Sequence, residues 1–152
     1  GPRQSTRAVL PTIITQLANG APVALGSLHP TRDFSFVRDT VAGFIAVADA
    51  PASVGEVINI GTGFEISILD AAQLVASIMD KELRLVDEAA RHRPPASEVE
   101  RLCADTTKAR RLLGWQPAYA GPDGLRRGLS ETIAWFVDPN NLRRYRANGY
   151  TV

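Results

Sequence analysis

Three arginines in predicted loops are the side chains of this sequence best suited to bind a phosphate-bearing ligand. They are Arg3, Arg32 and Arg93. A guanidinium group is planar and donates to two oxygens at once, which matches the geometry of a phosphate. A diphosphate esterified at both ends carries about two negative charges, so two or three converging arginines would be in proportion to it. The spacing alone favours a simpler interpretation, in which each arginine is a solvated surface charge, and the fold decides between the two.

The residues that would hold a dinucleotide and move a hydride are missing from the sequence. No Gly-x-Gly-x-x-Gly follows a predicted strand, and Gly61-Thr-Gly63 is predicted to form a turn. The tyrosines are Tyr119, Tyr145 and Tyr150, and none is followed four residues later by the lysine of a Tyr-x-x-x-Lys acid/base pair. We therefore predict no catalytic residue.

The two histidines and the single cysteine do not indicate a metal site. His29 and His92 lie in predicted loops, and neither pairs with Cys103 at a spacing typical of zinc ligands. A single cysteine forms no disulfide within the chain, which fits a reducing compartment.

The composition is typical of a soluble globular protein with one domain. The 152 residues are 45% hydrophobic and 22% charged, with a net charge of +1. This charge gives no reason to expect nucleic acid or a membrane as a partner. No apolar run reaches the ~18 residues of a membrane span, and no signal peptide is predicted. These features predict a cytoplasmic protein.

Helices and strands are predicted to alternate along the chain. The predicted helices cover residues 7–17, 40–48 and 68–79, a segment that ends at Leu113, and a segment that begins at Pro122. The predicted strands cover residues 22–26, 33–37, 56–60 and 82–86. The predicted helix caps are Ser5 or Thr6, Asp39, Ser67 and Thr106. This alternation predicts the α/β fold class.

Three stretches resemble the second half of the extended short-chain dehydrogenase/reductase enzymes that act on nucleotide sugars. They are Gly1-Pro-Arg-Gln4, Arg32-Asp-Phe34 with Val37 and Asp39, and the run from Arg93 through Glu98 and Ala104-Asp105 to Leu113-Gly-Trp115. The motifs look most like those of bacterial UDP-N-acetylglucosamine 4,6-dehydratases, and epimerases share most of them.

The resemblance implies a fold and an activity. Residues 1–152 would form the substrate-binding C-terminal portion of such an enzyme, with most of the Rossmann core missing. Residues about 33–62 would pack on that absent domain. The parent enzyme would use NAD as a dehydratase or an epimerase, whereas this fragment would hold no cofactor and be inactive without its N-terminal half. Whether the chain is itself an enzyme is left open.

The resemblance also implies which residues bind the diphosphate and the ribose. Arg32 and Arg93 would contact the diphosphate, and Glu98 would contact the ribose hydroxyls. Two extra residues separate Arg93 from Glu98 relative to the commoner Arg-Pro-Gly-Asp form, so the role of Glu98 is the weaker of these assignments.

Two further segments are implied to belong to the same site. The strand containing Val23, Ala24 and Leu25 matches the strand whose backbone meets the nucleobase. Arg3 and Gln4 would lie near the active-site cleft.

Two other interpretations remain open. The chain could be a freestanding module that binds nucleotide sugars without catalysis, or the assembly partner of a separately encoded Rossmann half. The apolar residues meant for the missing half predict self-association. The sugar, the nucleotide, the oligomeric state and the natural or engineered origin of the fragment are not predicted.

Overall fold

The predicted alternation of helices and strands is present in the computed structural model, which describes residues 1–92 and 97–143. The elements in chain order are α1 (Val9–Ala18), β1 (Val23–Leu25), β2 (Thr31–Arg32), α2 (Val37–Asp49), a 3₁₀ turn (Pro51–Ser53), β3 (Ile66–Ser67), α3 (Ile68–Met79), β4 (Leu85–Asp87), a 3₁₀ turn (Ala89–Arg91), β5 (Arg101–Leu102), α4 (Thr107–Leu113), α5 (Gly121–Val137) and α6 (Pro139–Leu142). The α/β class is therefore confirmed.

The described residues divide into two compact units. The first unit draws on the segments Gly1–Pro30, Ser67–Glu100 and Leu129–Val152, and the second draws on Thr31–Ile66 and Arg101–Gly128.

Helices α1 and α3 and the strand pair β1–β4 form the core of the first unit. Ile13, Ile14 and Val23 are fully buried, as is Val75 on α3. Strands β1 and β4 are parallel, with Val23 opposite Leu85. Because parallel neighbours need a long crossover, segments far apart in sequence are brought side by side.

Local sequence signals set the ends of helices α1 and α3. The hydroxyl of Ser67 accepts a hydrogen bond from the Asp70 backbone N–H at 3.0 Å, so the predicted N-cap of α3 is confirmed. Asn19 ends α1, as predicted. The predicted cap at Ser5 or Thr6 is wrong, since α1 begins after Ala8, which provides no side-chain cap.

The second unit contains another parallel strand pair, β2 with β5, in which Thr31 lies opposite Arg101. Glu65 bridges the two strands, because it accepts hydrogen bonds from the Thr31 hydroxyl and from Arg101 Nε, both at 2.6 Å. Arg101 and, less strongly, Thr31 lower the pKa of Glu65 by hydrogen bonding to its charged form.

The predicted strand over residues 33–37 is wrong. The strand ends at Arg32, and α2 begins at Val37. The polar–apolar alternation reflects a different constraint, because the Asp33 carboxylate binds backbone groups from two other segments of the same unit, as described below.

Asp39 does not cap α2, contrary to the sequence-based expectation. Asp39 lies within the first turn of the helix and is only 4% exposed, and Phe36 occupies the N-cap position. Its two carboxylate oxygens accept hydrogen bonds from the backbone N–H groups of Ala118 and Tyr119, each at 2.9 Å. Aspartate is common both as a helix N-cap and as a buried hydrogen-bond acceptor. The spacing of residues in the sequence does not distinguish these two roles for Asp39.

The predicted strand over residues 56–60 is not formed, because no neighbouring strand pairs with it in the described part of the chain. Its end still packs on α2, where a Cβ at Gly43 would lie 2.6 Å from Ile60 Cγ2. Val57, by contrast, is 83% exposed.

We predict that Asp39→Ala destabilises the second unit by about 3 kcal/mol, because two backbone N–H groups lose a buried, charged acceptor. Asp39→Asn should cost less, since one acceptor oxygen remains. Thermal and urea unfolding would measure both. Asp49→Ala, an exposed aspartate on the same helix, is the matched control and should change stability by less than about 0.5 kcal/mol. Equal effects at the two positions would contradict the role assigned to Asp39.

Candidate functional site

A cleft of about 630 Å³ in the first unit lies at the carboxyl ends of strands β1 and β4. Its volume is in the range of small-molecule sites, roughly 300–1,000 Å³. Ligands of α/β proteins commonly bind outside the carboxyl ends of parallel strands. The cleft is lined by Leu25, Gly26, Ser27, Leu28, His29, Ser67, Leu69, Leu85, Val86, Asp87 and His92.

The first turn of α3 holds the cleft loop that follows β1. The backbone N–H of Leu69 donates to the Leu28 carbonyl at 3.0 Å, and that of Ile68 donates to the Pro30 carbonyl at 3.1 Å. These N–H groups are therefore used by the fold, and the helix end positions the loop rather than presenting free donors to an anion.

Gly26 allows the other wall of the cleft to approach β1. A Cβ at this position would lie 2.6 Å from the Arg91 carbonyl oxygen and 3.1 Å from the His92 backbone nitrogen. Both atoms belong to the backbone, so neither moves aside cheaply. The absence of a side chain at Gly26 therefore brings His92 to the cleft.

A chain of polar contacts runs along the cleft from Asp87 through His92 to Ser27. His92 Nε2 lies 2.5 Å from Asp87 Oδ1, and His92 Nδ1 lies 3.5 Å from Ser27 Oγ. The second distance is at the upper limit of a hydrogen bond. His29, also on the cleft, pairs with Glu100 at 2.9 Å.

Strand β1, predicted to meet a nucleobase through its backbone, ends at this cleft. Val23 and Leu25 are buried and Ala24 is half-buried. The Val23 N–H donates to the Arg84 carbonyl at 2.7 Å, and the Ala24 N–H donates to Gln16 Oε1 at 3.1 Å. These two donors already serve the fold, while Leu25 contributes directly to the cleft wall.

Arg32, the predicted diphosphate ligand of the second unit, is half-buried at the end of β2. Its Nη1 donates to the Thr31 carbonyl at 2.7 Å. This contact holds the guanidinium group of Arg32 against the backbone of β2, its own strand in the second unit.

Asp33, next to Arg32, organises the surrounding loops. Its carboxylate accepts hydrogen bonds from the N–H of Thr62 at 3.0 Å, the N–H of Gly63 at 2.9 Å and the N–H of Ala104 at 3.3 Å, and from the Thr62 hydroxyl at 2.6 Å. Gly61 is required here, since a Cβ would lie 2.4 Å from Ala104 Cβ. The Arg-Asp pair therefore combines a candidate ligand with a structural carboxylate.

The remaining predicted site residues lie in other parts of the chain. Arg3 is exposed and adopts a positive φ of 65°, and Gln4 Oε1 accepts a hydrogen bond from the amino terminus at 3.4 Å. Glu98 is half-buried. Arg93 lies outside the described residues, so the convergence of Arg32 with Arg93 stays a prediction.

The sequence interpretation missed the polar residues of the cleft, Ser27, Asp87 and His92. Two signals in the sequence could have found them. One is a serine directly after a strand and a glycine, and the other is a histidine five residues after an aspartate that ends the neighbouring strand. Their convergence depends on the pairing of β1 with β4, which brings together Ser27 and His92, 65 residues apart in the sequence.

Within residues 1–92 and 97–143, no group of three or more His, Cys, Asp or Glu side chains is arranged to hold a metal ion. Over the same ranges, no helix combines the length and the apolar character needed to cross a membrane.

Comparisons with known proteins agree on one class. The chain is 34% identical over 140 residues to a UDP-glucose 4-epimerase of Mycolicibacterium smegmatis, covering 90% of this chain and 42% of that protein. An epimerase structure from Methanothermobacter thermautotrophicus matches with a TM-score of 0.81 and 30% identity, over 95% of this chain and 42% of that one. UDP-glucuronic acid 4-epimerase from Bacillus cereus, in complex with UDP-glucuronic acid and NAD, matches with a TM-score of 0.79 and 27% identity, over 95% and 43%.

These matches define an α/β chain that aligns with the C-terminal part of extended short-chain dehydrogenases/reductases. Residues 1–128 match the family model described as GDP-mannose 4,6 dehydratase, and the chain belongs to that family of nucleotide-sugar epimerases and dehydratases. It spans 29–42% of the length of the relatives that it matches in sequence, and 42% of the Methanothermobacter thermautotrophicus structure.

We predict that Gly26→Ala displaces the 89–92 turn and lowers stability by about 1–3 kcal/mol, because the new methyl group meets backbone atoms. Amide chemical shifts around His92 and thermal unfolding would measure the two effects. Ala90→Ser adds one atom on the exposed side of the same turn and is the control. If Gly26→Ala leaves the His92 shifts unchanged, the close approach inferred from Gly26 is wrong.

Proposed function

We propose that this chain supplies the nucleotide-sugar-binding part of an NAD-dependent nucleotide-sugar 4,6-dehydratase or epimerase. The observation that carries the proposal is the cleft at the carboxyl ends of β1 and β4. Leu25 forms part of its wall, and it belongs to the strand that the sequence resemblance implies to meet the nucleobase. Family membership supports the same class of ligand.

A UDP-sugar is the proposed substrate, and the UDP-N-acetylglucosamine 4,6-dehydratase type is the proposed activity. The first part is supported by relatives described as acting on UDP-glucose or bound to UDP-glucuronic acid. The second part rests on the sequence motifs, above all Ser97-Glu-Val-Glu-Arg-Leu102 and Leu113-Gly-Trp115.

The proposed roles follow the sequence motifs. Arg32 and Arg93 bind the diphosphate and Glu98 binds the ribose. The backbone of residues 23–25 lies near the nucleobase, and residues 3 and 4 lie near the sugar end of the site.

The hydride chemistry is proposed to reside in the part of the relatives that this chain does not span. NAD would bind there, since the sequence of this chain contains neither the glycine-rich cradle nor the Tyr-x-x-x-Lys pair. Binding the remote nucleotide then positions the sugar for chemistry performed by the other part, which converts binding energy into correct orientation. By itself the chain would be inactive, and it is proposed to work in the cytoplasm.

A freestanding binding module is the second candidate, and one observation favours it. Every residue that lines the cleft belongs to the first unit of this chain. Measurable affinity of the chain alone for a nucleotide sugar would support the module, whereas affinity only after adding a Rossmann half would support the assembly partner.

The diphosphate assignment is tested with single and double variants of the full-length protein. We expect Arg32→Ala and Arg93→Ala each to weaken UDP-sugar binding by roughly 1.5–3 kcal/mol, the scale of a charge-assisted hydrogen bond. The double variant should show non-additive coupling if both bind one diphosphate. Lysine at either position should rescue only in part, because the two-oxygen geometry is lost.

Titration calorimetry with the UDP-sugar and with the matching nucleoside separates the phosphate from the rest of the ligand. Arg110→Ala, an exposed arginine of α4, is the control. Unchanged affinity in both arginine variants, with the nucleoside still bound, would refute the diphosphate assignment and leave the cleft proposal standing.

Helix α2 presents an apolar face, and we propose as its partner a Rossmann domain of the kind found in the part of the relatives that this chain does not span. Phe44 is 68% exposed, Ile45 is 57% exposed, and Val41 lies one turn earlier on the same side. Large exposed apolar patches of this kind mark interaction surfaces. The proposal agrees with the sequence-based expectation that residues about 33–62 pack on a Rossmann domain.

We predict that the 152-residue chain alone self-associates through this face at micromolar concentration. Phe44→Glu should shift light scattering toward the monomer, because a charge cannot be buried in an apolar contact. Val99→Glu changes a similarly exposed valine of the first unit and should leave association unchanged. A wild-type chain that is a monodisperse monomer would contradict the prediction and favour the freestanding module.

A further inference from the structure

The proposed function assigns no role to the polar contacts that run from Asp87 through His92 to Ser27. Ser27 and His92 both line the cleft, and 42% of the His92 side chain is exposed, so a ligand can reach it. Asp87 is fixed opposite Leu25 by the β1–β4 pairing. The three residues therefore place a hydrogen-bonding group of defined polarity on the cleft wall.

Asp87 sets which ring nitrogen of His92 carries a proton. A carboxylate 2.5 Å from Nε2 accepts a hydrogen bond, so Nε2 keeps its hydrogen when the ring is neutral. Nδ1 is then an acceptor, and the Ser27 hydroxyl can donate to it. In this state the Ser27 hydroxyl hydrogen is used by His92, and the lone pairs of Ser27 Oγ can accept a hydrogen bond. Ser27 therefore favours a ligand group that donates one.

Protonation of His92 reverses this polarity. Nδ1 then carries a hydrogen and donates to Ser27 Oγ, so the serine hydroxyl hydrogen is free to turn toward the ligand. The cleft would then favour an acceptor over a donor.

Among the described residues, each basic group around His92 lies beside a carboxylate. Asp87 faces Nε2, Arg91 of the adjoining turn pairs with Glu88, and His29 across the cleft pairs with Glu100. Each basic group thus has a carboxylate partner within this part of the first unit. Such a wall suits an uncharged hydrogen-bonding group better than a phosphate.

The same three residue types perform nucleophilic catalysis in hydrolases, and the geometry does not favour that role here. An acyl-transfer site needs free donors aimed at a developing oxyanion. The nearby N–H groups of Ile68 and Leu69 already donate to the carbonyls of Pro30 and Leu28.

We propose that Ser27 is a specificity-determining residue whose hydroxyl oxygen accepts a hydrogen bond from the nucleoside of the ligand, with His92 and Asp87 as the positioning residues that orient this hydroxyl. The donor is a ring N–H of the base or a hydroxyl of the ribose. The proposal rests on the proposed function, since it takes the ligand of the cleft to be a nucleotide sugar.

The test uses titration calorimetry of the 152-residue chain with UDP-N-acetylglucosamine at about pH 8. Ser27→Ala and His92→Phe should each weaken binding about five- to tenfold, the scale of one hydrogen bond. His92→Asn places an amide near the Nδ1 position, and it should keep most of the affinity that His92→Phe loses.

Asp87→Ala separates positioning from simple structural support. Without the carboxylate, neither ring tautomer of His92 is favoured, so Asp87→Ala should weaken binding by less than His92→Phe while leaving thermal stability unchanged. His29→Gln changes the other histidine of the cleft and should keep the wild-type response to the two ligand analogues, whatever its effect on affinity.

Two ligand analogues identify the donor. The N3-methyl analogue removes the ring N–H of the base, and the 2′-deoxy analogue removes a ribose hydroxyl. One of them should lose affinity for the wild type but not for Ser27→Ala. If the ligand binds and the Ser27 and His92 variants keep wild-type affinity, the inference is overturned while the proposed function stands. If neither this chain nor the full-length protein binds the nucleotide sugar, both fall.

Discussion

Parallel strand pairing is the constraint on which the described architecture depends. Each unit contains one such pair, β1 with β4 and β2 with β5, and each pair joins segments some distance apart in sequence. Parallel strands place their carboxyl ends at the same edge, so the residues that follow them must converge. In the first unit this convergence makes the cleft. A candidate binding surface therefore follows from the direction of two three-residue strands.

In the second unit, a buried and a half-buried carboxylate hold loops in place in addition to the apolar packing. Asp33 binds the backbone of residues 62, 63 and 104, and Asp39 binds that of residues 118 and 119. Hydrogen bonds to a charged acceptor are about twice as strong as neutral ones, and they fix loops that have few apolar residues of their own. The Arg-Asp-Phe motif thus joins a group suited to phosphate with a group that holds the loops around it.

Local signals in the sequence predicted the helices well and the strands poorly. Ser67 and Gly114 act through neighbours a few residues away, so the limits of α3 and α4 could be predicted from them. The alternation at 33–37 was misread because the partners of Asp33 lie about 30 and 71 residues away. Residues 56–60 have the composition of a strand, but a strand also needs a neighbour. The α/β class was confirmed by the matching structures, whereas the convergence of the predicted arginines remains a prediction.

The energetics of the Asp87–His92 pair favour a binding role over a folding role. Exposed ion pairs contribute about 0–1 kcal/mol to stability, because solvent screens them and ordering two side chains costs entropy. With 74% of the Asp87 side chain and 42% of the His92 side chain exposed, this pair adds little to folding. Burial of the same pair under a ligand would raise the strength of each hydrogen bond and the cost of each unmatched one. A pair that is weak in the free protein therefore discriminates most once the cleft is filled, which is the behaviour expected of residues that position a specificity determinant.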